Sequence, residues 1–199
     1  MRVIGGSARG VPLKGPPGPG TRATSDKVRG AIFDALAAWV PEARVLDLYA
    51  GTGALGIEAL SRGAALCLFV EKAPSVCRVI EANLALARLS EWGRVWCVSV
   101  ETALERLERG QAVDDGSTFL PPYDVIVLDP PYGDPAIVGV VERLGRSGLL
   151  ARGGFVVLEH GKRLAPPHET GALRLYRARR YGDTAVTIWR RDEQEETDH

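Results

Sequence analysis

The sequence predicts an α/β fold: a mostly parallel, seven-stranded sheet with helices on both faces, a C-terminal antiparallel hairpin and a small N-terminal β-hairpin extension. Three observations predict it. From Val45 onward, short apolar runs alternate with segments of helical period. The first five runs are almost continuously apolar, as expected of parallel strands covered on both faces. Near the end the pattern switches to strict alternation around Gly182-Asp183, which marks an antiparallel hairpin.

Arg2-Val3-Ile4-Gly5-Gly6 and Gly10-Val11-Pro12-Leu13 read as the N-terminal hairpin. Gly15-Pro16-Pro17-Gly18-Pro19-Gly20 is too rich in turn formers for regular structure and reads as a mobile loop. Thr24 or Ser25 is placed to cap a helix whose apolar face is Val28, Ala31, Ile32, Ala35, Leu36 and Trp39. Strands are expected at 45–49, 66–70, 95–98, 125–128 and 155–158, then at 173–177 and 185–189 in the hairpin. Helices are expected near 54–61, 75–88, 102–108 and 136–144. This divides the chain into a basic extension (1–24), one catalytic-sized domain (25–191) and an acidic tail (192–199). A chain of 199 residues, 45% hydrophobic, is long enough for one real core.

Net charge says nothing about partners, because Lys+Arg and Asp+Glu both number 25. Distribution says more. Arg2, Arg9, Lys14, Arg22, Lys27 and Arg29 face only Asp26 in the first thirty residues. Arg174, Arg177, Arg179, Arg180, Arg190 and Arg191 form a second basic cluster, and the tail from Asp192 reads as a solvated acidic run. Cys67, Cys77 and Cys97 lie in apolar segments without metal-ligand spacing. They are expected to be buried thiols of a reducing compartment, with no metal site. No apolar run reaches the roughly 20 residues a membrane span needs, and no signal pattern opens the chain, so a cytoplasmic location is expected.

Gly51-Thr52-Gly53-Ala54-Leu55-Gly56 joins a strand to a helix, and Glu71 closes the next strand, where an acid suits ribose hydroxyls. Asp47 stands immediately upstream. A carboxylate there would oppose a pyrophosphate on the helix N-terminus but suits a ligand carrying a cation. S-adenosylmethionine has an ammonium, a sulfonium, a ribose and an adenine, and no phosphate. Asp47 is expected to engage its ammonium directly or through water, backbone of Ala50 to Gly53 its methionine part, and Glu71 its ribose. Glu101 can accept from the adenine amine, or can simply favour a helix N-terminus.

Asp129-Pro130-Pro131-Tyr132 follows the buried run Tyr123 to Leu128. Two prolines cannot continue a ladder, so the chain leaves the sheet rigidly at its ligand-binding end. A carboxylate, adjacent carbonyls and a flat ring suit a planar base bearing an exocyclic amine.

With these motifs in hand, the chain resembles a known family. Asp47-Leu48-Tyr49-Ala50-Gly51-Thr52-Gly53-Ala54-Leu55-Gly56 resembles the first motif of Rossmann-like class I S-adenosylmethionine-dependent methyltransferases, and Asp129 to Tyr132 resembles the motif of those that methylate conjugated amines. The opening Arg2-Val3-Ile4-Gly5-Gly6, the pattern Arg22-x-Thr24-x-Asp26-x-Val28-Arg29, the segment Glu58-Ala59-Leu60-Ser61-Arg62-Gly63 and the closing Tyr181-Gly182-Asp183-Thr184 resemble bacterial 16S ribosomal RNA guanine-N2 methyltransferases. Ala23 stands where that family often has proline, and Glu101 where aspartate is usual.

The resemblance implies methyl transfer to a guanine N2 of small-subunit ribosomal RNA, free or in an assembling or assembled subunit. It implies a catalytic set of Asp129, Pro130, Pro131 and Tyr132. It implies cofactor contacts from Asp47, Tyr49, Ala50, Gly51, Thr52, Gly53, Glu71, Lys72, Glu101 and Thr102. RNA contacts are expected from Arg9, Arg22, Thr24, Lys27 and Arg29, with backbone amides around Gly5 and Gly6. Glu58 is expected to support the glycine turn, and His160 and His168 to be structural or solvent-facing. Rival readings are an amino-methyltransferase acting on DNA adenine or cytosine or on protein glutamine, a non-catalytic RNA-binding module, and a nicotinamide oxidoreductase, which Asp47 disfavours.

Overall fold

A computed structural model describes residues 1–15, 25–111, 119–131 and 133–193. The helices are α1 (Asp26–Ala35), α2 (Ala54–Ser61), α3 (Pro74–Ala87), α4 (Val100–Glu108) and α5 (Ile137–Arg146). The strands are β1 (Arg44–Leu48), β2 (Leu66–Val70), β3 (Gly93–Trp96), β4 (Tyr123–Leu128), β5 (Leu150–Gly161), β6 (Glu169–Thr170), β7 (Leu173–Tyr181) and β8 (Thr184–Arg191).

Among the described residues these strands form one sheet in the order β3-β2-β1-β4-β5-β8-β7-β6. The first five run parallel, and β8, β7 and β6 add antiparallel. The seven expected strands are all present; the two-residue β6 is an addition at the β7 edge, too short to carry a periodic signal. The order reverses between β1 and β4, which opens the ligand crevice of an α/β sheet at their C-terminal ends. This is a Rossmann-like class I methyltransferase architecture.

Each sheet face carries its own core. Val28, Ile32 and Phe33 of α1, Ile57 of α2 and Ile80 of α3 pack on Val45, Phe69, Val127 and Val157. Leu104 and Leu107 of α4 and Val141 and Leu144 of α5 pack on Leu46, Leu68, Ile126 and Val156 on the other. Alternate residues of each strand serve alternate faces, so both must be apolar.

Several local expectations change. Ser25, not Thr24, caps α1: its Oγ accepts from the Val28 N–H at 3.2 Å. Thr24 and most of the Pro/Gly loop (16–20) lie outside the described residues. α1 ends at Ala35, so Trp39 lies beyond it and packs tilted against Phe155 and edge-on to Tyr176, with ring centroids 4.9 and 5.9 Å apart. The N-terminal hairpin is short: one bridge, Arg2 with Pro12, flanked by bonds from the Val3 N–H to the Val11 carbonyl at 3.0 Å and from the Leu13 N–H to the Met1 carbonyl at 3.1 Å. Beyond Val3 the Ile4 and Gly5 amides leave the hairpin and donate to Glu58, each at 2.8 Å. Cys67 and Cys77 are buried, but Cys97 is exposed just past the end of β3. The start of the acidic tail folds back, Asp192 onto Arg174 at 3.4 Å and Glu193 onto Arg190; 194–199 lie outside the described residues.

Candidate active site at the strand ends

β1, β2 and β4 end on one edge and deliver three carboxylates there. Asp47 lies one residue inside the end of β1, Glu71 follows β2, and Asp129 follows β4. Both Glu71 and Asp129 act electrostatically on Asp47, raising its pKa. The larger cause is burial, which pushes Asp47 well above the usual carboxylate range against the hydrogen bond from Gly56. Asp47 is almost fully buried. Its Oδ2 accepts from the Gly56 N–H at 2.9 Å, and its Oδ1 is buried without a hydrogen-bond partner among the described residues. Asp47 therefore sits under the turn rather than lining an open surface. Direct capture of an ammonium, one of the two expected routes, is closed by that burial; contact through an intervening group remains compatible with the free Oδ1.

The glycine turn is built for close approach. Gly51 and Gly53 take φ of 53° and 78°, in the left-handed region that favours glycine. A Cβ on Gly56 would come within 2.3 Å of the Phe69 ring, so glycine lets α2 settle on β2. Glu71 ties the turn to the next strand: Oε2 accepts from the Gly51 N–H at 3.1 Å and Oε1 from the Ala73 N–H at 2.9 Å. Ala50 donates to the Val70 carbonyl at 3.0 Å, and the Thr52 carbonyl accepts from Asn83 at 2.9 Å.

Tyr49 is the outlier. It takes φ of 59°, costly for a bulky side chain, directly after β1. Its hydroxyl is buried without a partner among the described residues. Burial, Asp134 and Glu101 push its pKa up to about 12, so the phenol stays a donor. Glu101 is exposed in the first turn of α4, and Thr102 shares in the Ser99 cap of that helix. Lys72 is exposed beside Glu71.

These features fit S-adenosylmethionine. Asp47, Glu71 and Asp129 on one side and Glu101 and Asp134 around Tyr49 make an acidic basin that repels phosphate and favours a cation. Asp47 also permits a test by pH. The folded state binds its proton more tightly than the unfolded chain. Stability from this group therefore falls as pH rises above about 3.9 and levels off beyond the folded pKa. Asp47→Asn removes that titration. Its stability relative to wild type should improve between about pH 4 and neutrality. Denaturant unfolding at several pH values checks this, and a pH-independent difference contradicts it.

Asp129 is half-buried; its N–H reaches toward the Leu48 carbonyl at 3.5 Å, prolonging the β1–β4 pairing. Pro130 is buried and Pro131 exposed. The Pro131 carbonyl accepts from Asp134 at 3.2 Å, closing a turn through Gly133 at φ 83°. Tyr132 lies outside the described residues. Beside this exit opens a cleft of about 590 Å³, lined by Pro130, Pro131, Ile137, His160, Arg163 and Asp183 among others. Its size suits a small planar ligand.

The structural likeness decides the family. A model described as "Conserved hypothetical protein 95" matches residues 1–190. The "Ribosomal RNA small subunit methyltransferase D" of Escherichia coli strain K12 is 30% identical over 198 residues, covering 100% of this chain and 93% of that protein. YlbH of Bacillus subtilis is 35% identical over 191 residues, 96% of this chain and 99% of that protein. The solved structure of yhhF from Escherichia coli superposes with a TM-score of 0.81 at 30% identity, over 98% of this chain and 99% of that one. The chain belongs to this family. It is an S-adenosylmethionine-dependent methyltransferase.

The family match includes the N-terminal segment, whose expected RNA contacts divide. Arg9 and Lys27 are exposed. Arg22 and Thr24 lie outside the described residues. Arg29 is buried and cannot reach a phosphate: it pairs with Asp26 at 3.0 Å and lies 3.5 Å from Glu58. The Gly5 amide is also committed, to Glu58. Glu58 thus anchors the N-terminal segment to α2 rather than supporting the Gly51–Gly53 turn. His160 is buried, its Nε2 2.9 Å from Thr187 Oγ1, and burial lowers its pKa. His168 is exposed. The cleft walls at His160 and Arg163 carry no local motif; the β4–β5 pairing brings them beside Pro130, and the β5–β8 pairing adds Asp183 of the closing motif.

Proposed function

We propose that this enzyme methylates the exocyclic N2 of a guanine in 16S ribosomal RNA, in an assembling or assembled small subunit in the cytoplasm. The observation that carries the reading is the position of the Asp129-Pro130-Pro131 exit. An acidic, phosphate-rejecting basin and a base-sized cleft adjoin there, with Asp134 common to both. S-adenosylmethionine supplies an electrophilic methyl group when bound; Asp47, Tyr49, Ala50, Gly51, Thr52, Gly53, Glu71, Lys72, Glu101 and Thr102 are the residues assigned to hold it.

Guanine N2 is a weak nucleophile because its lone pair is delocalised into the ring. Asp129 accepts one N–H of the amine and the Pro130 carbonyl the other. This localises the nitrogen lone pair and fixes its direction. No strong base is needed before attack, since the nitrogen becomes far more acidic once alkylated. Catalysis is therefore mainly positioning and electrostatics. The two prolines hold the carboxylate and carbonyl rigidly, and Tyr132 is assigned to stack on the base, worth about 1–3 kcal/mol. A base in such a cleft must leave its stack, so a flexible or single-stranded RNA site is the natural substrate.

Offering purified small subunits, protein-free 16S RNA, duplex DNA and a glutamine-containing peptide in parallel with labelled donor tests this reading. Label should enter only the first two. Transfer to DNA or peptide in preference to both RNA-containing acceptors would overturn it.

A further inference from the structure

The second basic cluster has no role in the site described above, and the fold sorts it into two groups. Arg174, Arg190 and Arg191 are committed: Arg174 to Glu169 and Asp192, Arg190 to Glu193, and Arg191 to the carbonyls of Ser147 and Leu150. Arg177, Arg179 and Arg180 are exposed on β7 and have no acidic partner among the described residues. Arg177 lies over the Tyr176 ring, 5.8 Å from its centroid. Beyond Arg174, β7 pairs only with β8, so this stretch is an open sheet edge. Arg177 and Arg179 line a groove of about 310 Å³ against Ala31, Asp34 and Ala35 of α1.

Topology aims this edge at the catalytic exit. Gly161, at the end of β5, pairs with Thr184, and Thr184 with Tyr181. Arg179 and Arg180 therefore approach the same sheet edge as Asp129, near the cleft residue Arg163. Three strand spacings separate β4 from β7, about 14 Å. The N-terminal segment lies on the other side of β4: Glu58 and Ser61 of α2 and Asn83 of α3 hold it. A polyanion crossing the strand ends would meet both flanks.

We propose that Arg177, Arg179 and Arg180, continued by Arg163 at the cleft mouth, form a second RNA-backbone contact opposite the N-terminal segment. This rests on the RNA reading above. Arg177 and Arg179 share one face of β7 and Arg180 turns to the other, so the three guanidinium groups flank the open edge. The acid beside them, Asp34, is already paired with Arg62 at 3.2 Å, and such an edge complements a phosphate chain rather than an acidic globular surface of fixed shape. The open edge also supplies backbone groups, which RNA sugars and phosphates can use.

The test compares wild type with Arg177→Gln/Arg179→Gln/Arg180→Gln and with the matching triple lysine variant. A hairpin RNA oligonucleotide is the binding probe and purified small subunits the methyl acceptor. The glutamine variant should bind RNA about tenfold more weakly, with the slope of log affinity against log salt reduced by about 2. The KM for subunits should rise, donor affinity and unfolding temperature should not change, and the lysine variant should recover most of the salt slope. An unchanged slope would overturn the proposal. So would a glutamine variant that self-associates but binds RNA normally as a monomer, because the arginines would then only guard the edge. Loss of RNA binding with no methyl transfer to subunits by wild type would retain this contact and sink the substrate assignment instead.

Discussion

Asp129→Ala is expected to lower methyl transfer about 10³-fold, the scale of removing one oriented polar group from a transition state, while donor affinity stays within about twofold. The reason is position. Asp129 stands where the β1–β4 ladder ends and the rigid Pro130-Pro131 turn begins, so its carboxylate cannot be replaced by a neighbour. Asp129→Asn keeps an acceptor oxygen and loses the charge; its activity should fall between wild type and the alanine variant. Single-turnover methyl transfer, with donor binding measured by calorimetry, separates the two effects. Wild-type turnover in Asp129→Ala would remove the residue from the mechanism. Equal losses in turnover and donor affinity would reassign it to the cofactor basin.

The largest expected effect on stability belongs to Glu58→Ala. Glu58 is buried, accepts from the Ile4 and Gly5 amides, and faces Arg62 at 2.8 Å and buried Arg29 at 3.5 Å. Removing it leaves a buried guanidinium with a single carboxylate, the partly exposed Asp26, beside the Arg2 carbonyl, and frees two backbone donors. The cost should be about 3–5 kcal/mol, lowering the unfolding temperature by about 10 °C. Combining it with Arg29→Met should recover part of the loss, because the stranded charge goes with it. The N-terminal segment should also become protease-sensitive. An unfolding temperature matching wild type would show that the network does not hold the segment.

The elements that rest on local pattern were readable without coordinates. Leu66 to Val70 and Ala54 to Ser61 have the bounds expected from their periodicity, because apolar strand and helix faces announce themselves within a few residues. The glycine turn was readable for the same reason: Gly51, Gly53 and Gly56 are each required by backbone angle or packing. What depended on distant partners was not. Arg29 sits in a basic segment and looks like its neighbours, but Glu58 lies across the fold and draws it into the core. The burial of Asp47 follows from a turn closing over it, and nothing in the residues beside Asp47 measures that. Tyr49 gives no composition signal for its left-handed backbone. The cleft joins β4, β5 and the β7–β8 turn, segments far apart in the chain, so His160 and Arg163 could be placed only by topology.

The central claim is that the Asp129 exit directs methylation to guanine N2 of small-subunit RNA. Its most direct test uses small subunits from a strain lacking this gene. They are incubated with the enzyme and labelled donor, and their 16S RNA is digested to nucleosides. The account predicts that the label co-migrates with N2-methylguanosine, at one site, and that subunits from the parent strain accept little because that site is already modified. Label in any other nucleoside, or in ribosomal protein, would contradict it.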